Sequence, residues 1–182
     1  MLKRFLLILS LILATICNAQ ITDKQLYDAY LNGDFAVWKQ YIDQTPANNE
    51  NLPKILNYEY GYIGVCLGKK DETAAKNYLS RAKQHLAKWR ELKGNEAMLL
   101  MYESAFAAFE LSATHSNYAK LGIHSVKYAN AAEKADQTNP YVLSLKGNTL
   151  FYRPAFLGGS KSEAINYYEK SIAQFEQQQL TQ

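Results

Sequence analysis

The sequence predicts an all-α chain, a stack of antiparallel helix hairpins, on three observations. Strong helix formers (Ala, Leu, Lys, Gln, Glu) are abundant and only four prolines interrupt the 182 residues. Apolar residues recur at three- and four-residue spacings through successive segments. Start and stop signals punctuate those segments, most clearly from Asn139 to Gln178, where Asn139 is placed as a helix cap and Pro140 at the first helical position. In the same stretch Ser160 and Glu163 form a capping-box pattern, and Ala164, Tyr168, Ser171, Ile172 and Phe175 share one face. A helix with one apolar face needs a neighbour. Hairpins in series supply one, and such stacks present surfaces to partners.

Residues 1–19 read as a targeting segment rather than part of the fold. Lys3 and Arg4 precede the apolar run Phe5–Ile16, and Cys17-Asn18-Ala19 ends it with small residues at cleavage spacing. The run is shorter than the roughly 20 apolar residues a bilayer-spanning helix needs. The pattern predicts a cleaved signal, a mature chain starting at Gln20, and an exported protein that is periplasmic or secreted. Lipid attachment at Cys17 is disfavoured by bulky Ile16, where a small residue is wanted. Removing the segment takes away two of the 20 basic residues and none of the 17 acidic ones, so the net charge falls to +1. That balance offers no footprint for nucleic acid, and no basic amphipathic stretch points to a membrane surface. One cysteine remains, Cys66, within Ile63-Gly64-Val65-Cys66-Leu67. It reads as a buried small hydrophobe, and a lone thiol leaves no intramolecular disulfide.

The elements follow in order. Thr22 and Gln25 make a capping box, and Leu26, Ala29 and Tyr30 continue an apolar face until Asn32-Gly33 stops it. Asp34 caps a second short helix carrying Phe35, Trp38 and Ile42, so residues 20–50 predict a hairpin that caps the array or is a degenerate repeat of it. Gln44–Pro53, with two prolines and Asn48-Asn49, reads as a loop. Residues 51–182 hold the repeat region, continuous with the first hairpin. A helix is predicted from about Ile55 to Leu67, ending at Gly68. Asp71 starts another, whose Ala75, Tyr78, Leu79, Ala82, Leu86 and Trp89 keep helical spacing to Gly94. Asn95 caps a helix running to about Ala113 that is apolar nearly all round, which makes it the central element. Tyr118–Ala135 is its partner, and the glutamine-rich tail Gln174–Gln182 closes the stack or frays.

Three hairpins place small and large residues at a common i, i+4, i+7 spacing in their second helices: Ala75, Leu79, Ala82; then Tyr128, Ala132, Ala135 with Pro140 close behind; then Ala164, Tyr168, Ser171. Small side chains let two helices approach while the large one fills the adjoining gap. Gly64 and Gly147 in the first helices fit the same logic. The pattern resembles the tetratricopeptide repeat (TPR), over roughly residues 51–178. That resemblance implies a right-handed superhelical stack, a TPR-like α-solenoid, whose first helices line a concave groove. The second and third patterns lie 36 residues apart, near the repeat of about 34, whereas the first and second lie 53 apart. The segment Arg153–Gly159 also departs from the repeat as an insertion. Counting from the two glycines, the resemblance places Tyr58 and Val65, and Tyr141, Ser144 and Asn148, toward the groove. Arg153 joins them as a candidate partner contact from the insertion.

No constellation for chemistry is visible. His85, His115 and His124 fall on different elements without metal-ligand spacing and read as surface histidines. Gly158-Gly159-Ser160-Lys161-Ser162 lacks the order of a phosphate loop and follows a helix instead of a strand. Glu59 and Glu103 sit in apolar sequence with no second carboxylate brought near, and are read as exposed. The sequence therefore predicts no enzyme, cofactor or metal. It predicts an exported scaffold or adaptor binding a protein or peptide in the cell envelope, with a small-ligand carrier using an aromatic pocket between hairpins as the alternative.

Overall fold

The computed structural model describes residues 22–180, and every regular element among them is helical. The expected signal segment, the Ala19–Gln20 junction and Cys17 lie outside the described residues. The chain divides into two compact units at Gln44–Thr45.

In the first unit, α1 (Asp23–Asn32) and α2 (Phe35–Gln44) pack on each other. The Thr22–Gln25 capping box forms in both directions, and Gly33, left-handed at φ +68°, ends α1. The Val37 amide donates to Asp34 Oδ1 at 3.3 Å, the cap expected for α2. Tyr30 meets Trp38 edge-on at 5.7 Å between ring centroids, and Leu26, Ala29, Tyr41 and Ile42 are buried around the junction.

The second unit holds α3 (Leu52–Gly68), α4 (Glu72–Glu91), α5 (Glu96–Thr114), α6 (Tyr118–Ala135), α7 (Pro140–Tyr152), a single 3₁₀ turn (Ala155–Leu157) and α8 (Lys161–Leu180). Helices α3 and α4, α5 and α6, and α7 and α8 pack as pairs; α4 then packs on α5 and α6 on α7. Helix α5 also touches both α3 and α7, so it is central, as its all-round apolar sequence requires. Asp71, Asn95, Asn139 and Ser160 each accept an amide hydrogen bond at the start of the helix they precede. Helix α3 begins earlier than its sequence suggests, at Leu52, because Pro53 falls in its first turn, where a missing N–H costs nothing. Cys66 is buried, as expected.

Two expectations are corrected by the packing. Ile172 is exposed rather than on the buried face of α8. Gly64 is not a close-approach point, since an added Cβ would meet only Phe109 Cζ at 4.0 Å, an ordinary contact. Gly147 is one: a Cβ there would lie 2.5 Å from the Tyr168 ring.

Polar contacts tie the pairs together. Ser104 Oγ, fully buried on α5, donates to the Ser125 carbonyl of α6 at 2.7 Å, and Ser171 Oγ of α8 donates to the Pro140 carbonyl of α7 at 2.7 Å. Glu133 on α6 accepts from Tyr167 at 2.5 Å and pairs with Lys146 at 2.9 Å. Burial alone would raise the Glu133 pKa, but the Tyr167 and Lys146 contacts outweigh it and the net shift is downward. A depressed folded pKa contributes stability above the unfolded value of about 4.3, lost as pH falls through the folded value. Glu133→Gln is therefore expected to flatten the acid side of the stability profile, with thermal melts at pH 7 and pH 3 converging toward each other relative to wild type. An unchanged melting difference between the two pH values would contradict this.

Among the described residues no helix is long and apolar enough to cross a membrane.

Candidate functional site

The first helices of the second unit meet through tyrosine. On α3, Tyr60 stacks on Phe109 of α5, with centroids 5.2 Å apart and planes at 21°. It also lies edge-on to Tyr102 at 6.3 Å. Across α5, on α7, Asn148 Nδ2 donates to Tyr60 Oη at 3.0 Å, while Asn148 Oδ1 accepts from Tyr168 Oη of α8 at 2.8 Å. The amide is oriented so that both bonds are satisfied at once. This belt joins α3, α7 and α8 through residues up to 108 positions apart.

Two hydroxyls in the same region are unspent. Tyr102 is fully buried, and its Oη has no hydrogen-bond partner. Tyr60 accepts from Asn148, yet its own O–H donates to no described residue. A buried polar atom without a partner carries a free-energy penalty of about 1–3 kcal/mol, so the Tyr102 hydroxyl lies beneath the belt at a cost to stability. Burial raises the pKa of Tyr102 far above the ordinary phenol value, reinforced by Tyr141 and Tyr60. Tyr60 is raised chiefly by burial, with the Asn148 hydrogen bond opposing, and Tyr168 is raised by burial and then by Tyr152. These phenols stay protonated at physiological pH, and of the three Tyr168 donates its proton, to Asn148 Oδ1.

Of the residues expected in a groove, Asn148 is the centre of the belt. Tyr141 and Ser144 share its stripe on α7, seven and four residues earlier in helical register. Tyr141 is partly exposed, packs edge-on against Phe175 at 5.0 Å, and is near enough to influence the Tyr102 phenol. Tyr58 and Val65 are half-buried on α3, but at about 100° per residue both lie well over 90° round the helix from Tyr60. They are not brought to the belt. Arg153 caps the C-terminus of α7, immediately after Tyr152, which is 79% exposed and close enough to Tyr60 and Tyr168 to raise both phenols. Tyr60, Tyr102, Phe109 and Tyr168 were not singled out by sequence as site residues. The one signal for the first was Tyr60 and Gly64 sharing a face at i and i+4.

The histidines lie elsewhere. His115 Nε2 is 2.9 Å from Glu72, His124 packs edge-on against Tyr128, and no metal-binding cluster of His, Cys, Asp and Glu occurs among the described residues. His85 is not a surface histidine: its Nδ1 lies 2.9 Å from Glu59 Oε2. Glu59 itself is 0% exposed and also accepts from Arg81 Nε at 2.8 Å, which corrects its reading as an exposed residue. A cation and an imidazole on the next helix make that burial tolerable, where apolar surroundings alone would not. Glu103 is half-buried and pairs with Arg90 at 2.9 Å.

No protein-family model matches this sequence, and no curated protein matches it. A solved structure does. The fold is similar to that of the HusA haemophore from Porphyromonas gingivalis, with a TM-score of 0.53 over 78% of this chain and 79% of that one. The sequences are 20% identical, so the likeness is one of fold.

Proposed function

We propose that this chain is an exported, non-enzymatic carrier of a flat aromatic ligand of the porphyrin class, held against the tyrosine face formed by α3, α5 and α7. The observation that carries this reading is the belt Tyr60–Asn148–Tyr168 beside the orphaned hydroxyl of buried Tyr102. It offers aromatic area and unspent donors together, which is what a planar, largely apolar molecule with a few polar edges needs. The fold likeness to a haemophore supports the same class of cargo. Haem suits these residues as a ligand packed on aromatic rings. The three described histidines are engaged with Glu59, Glu72 and Tyr128 and lie outside the belt.

The peptide-adaptor reading needs the Asn148 amide for a peptide backbone. That amide is already engaged on both sides by Tyr60 and Tyr168. The packing order of α3–α8 supports a TPR-like hairpin stack as the frame, and the segment 1–19 supports export.

The test is a titration of the mature chain (residues 20–182) with haemin, followed by Soret absorbance and by quenching of Trp89, which lies 6.5 Å from Tyr102. Saturable binding is expected, weakened about tenfold, roughly 1.4 kcal/mol, by Tyr60→Ala or Asn148→Leu. A signal that grows without saturating, or variants that bind as wild type does, would overturn the proposal.

A further inference from the structure

Helix α7 ends in an insertion whose backbone is held tightly. The Ser160 amide donates back to the Leu150 carbonyl at 3.1 Å, and the Leu157 and Gly159 amides both reach the Pro154 carbonyl, at 2.9 and 3.1 Å. Gly158 adopts φ +84°, and a Cβ on Gly159 would fall 1.8 Å from the Arg153 carbonyl oxygen. Only glycine fits at that second position. The segment is thus a built platform, and it displays apolar side chains outward: Phe156 is 87% exposed, with Leu157 and Tyr152 also largely in solvent.

Within this platform lies an uncompensated cation. Of the arginines among the described residues, Arg81 pairs with Glu59 and Arg90 with Glu103, but no described carboxylate pairs with Arg153. Its guanidinium is partly withdrawn from water, folded back so that Nη1 would be 3.7 Å from a Cβ on Gly158. Desolvation, with no opposing contact, pulls its pKa below the usual arginine value, while a guanidinium still remains charged at any physiological pH. A charge that is dehydrated without a partner is costly to leave and strongly rewarded when a partner arrives. A second cation flanks the platform, Lys161 Nζ, 5.4 Å over the Phe151 ring. The neighbouring Tyr152 packs edge-on against Phe151 at 5.0 Å and is near enough to Tyr60 and Tyr168 to raise both phenols.

We infer that Arg153 is the receptor for a carboxylate on the cargo, so that the site selects an amphiphile with an apolar ring body and an acidic edge. A guanidinium offers a forked pair of donors that matches a carboxylate, and Arg153 stands in chain between exposed Tyr152 and the exposed pair Phe156 and Leu157. This rests on the porphyrin-carrier reading and specifies which end of the ligand the insertion holds.

The test compares haemin with its dimethyl ester, in which both carboxylates are neutral, on the wild-type mature chain, Arg153→Gln and Arg153→Lys. Wild type is expected to bind the diacid at least about tenfold more tightly than the ester. Arg153→Gln should erase that preference by weakening the diacid more than the ester, without lowering the melting temperature of the ligand-free chain, and Arg153→Lys should restore part of it. Equal affinities of wild type for diacid and ester would overturn this inference while leaving the carrier reading intact. A preference that survives in Arg153→Gln would overturn the assignment to Arg153. Failure of both ligands to bind wild type would overturn the carrier reading itself.

Discussion

Glu59→Ala is expected to destabilise the second unit by about 3 kcal/mol. The carboxylate is wholly buried on α3, with one oxygen 2.8 Å from Arg81 Nε and the other 2.9 Å from His85 Nδ1, both on α4. Arg81 in turn lies over the Tyr78 ring at 4.5 Å, and Tyr78 packs edge-on against Tyr62 at 4.7 Å. Deleting the carboxylate leaves a guanidinium in a partly dry site and a void beneath it. Breaking a buried pair from one side costs about 3–5 kcal/mol. The lower end applies because the Arg81 side chain keeps 32% of its exposure, so water reclaims part of its charge. With a urea slope of about 1–3 kcal/mol per molar for a domain of this kind, the unfolding midpoint should fall by roughly 1–3 M. The double change Glu59→Met with Arg81→Met should recover most of that loss, since an apolar pair of similar volume replaces charges that were expensive to bury. A single-variant shift below about 0.5 M, or a double variant worse than Glu59→Ala, would show that the pair does not hold α3 on α4.

That pair also explains what was legible in the sequence and what was not. Helix starts were readable because the chemistry is local: Thr22, Asp71, Asn95, Asn139 and Ser160 accept from amides two or three residues on, so residue type and spacing are enough. The central position of α5 was readable because its apolar residues go all the way round. Glu59 was not readable, because its burial is made affordable by residues 22 and 26 positions later. The only trace is that Arg81 and His85 stand at i and i+4, one turn apart on a common face.

The site divides in the same way. Tyr141, Ser144 and Asn148 share a stripe that counting along one helix from a glycine landmark makes visible. Tyr60 was missed because its partner is 88 positions away, and because counting on α3 started from Gly64 as though it were a crossing point like Gly147. The structure shows that the two glycines are not equivalent: one merely faces Phe109, while the other is covered by a ring. Tyr168 was read as a packing residue, the large member of a small-large-small pattern. It does pack, on Gly147, but packing is also what delivers its hydroxyl to Asn148.

This double duty gives a result whose sign depends on its partner. In isolation, Gly147→Ala should stabilise an interior helical position by about 1 kcal/mol. In this chain the new methyl would lie 2.5 Å from Tyr168 Cε1 and 2.8 Å from Cδ1, so the ring must leave. Because the Tyr168 hydroxyl is fixed on Asn148 Oδ1, displacing the ring also undoes one end of the belt and frees the amide that holds Tyr60. Overpacking of this kind costs about 1–3 kcal/mol, which outweighs the gain in helix propensity. Gly147→Ala is therefore expected to lower stability by about 1–2 kcal/mol and to weaken haemin binding alongside. In a Tyr168→Ala background the obstruction is gone, and the same change should become neutral or stabilising, by up to about 1 kcal/mol. The two substitutions sit in direct contact, so their coupling should appear as a clear departure from additivity in a double-mutant cycle measured by urea unfolding. If Gly147→Ala has the same sign and size in both backgrounds, the ring does not bear on that glycine, and Tyr168 does not join α8 to the Asn148 belt through it.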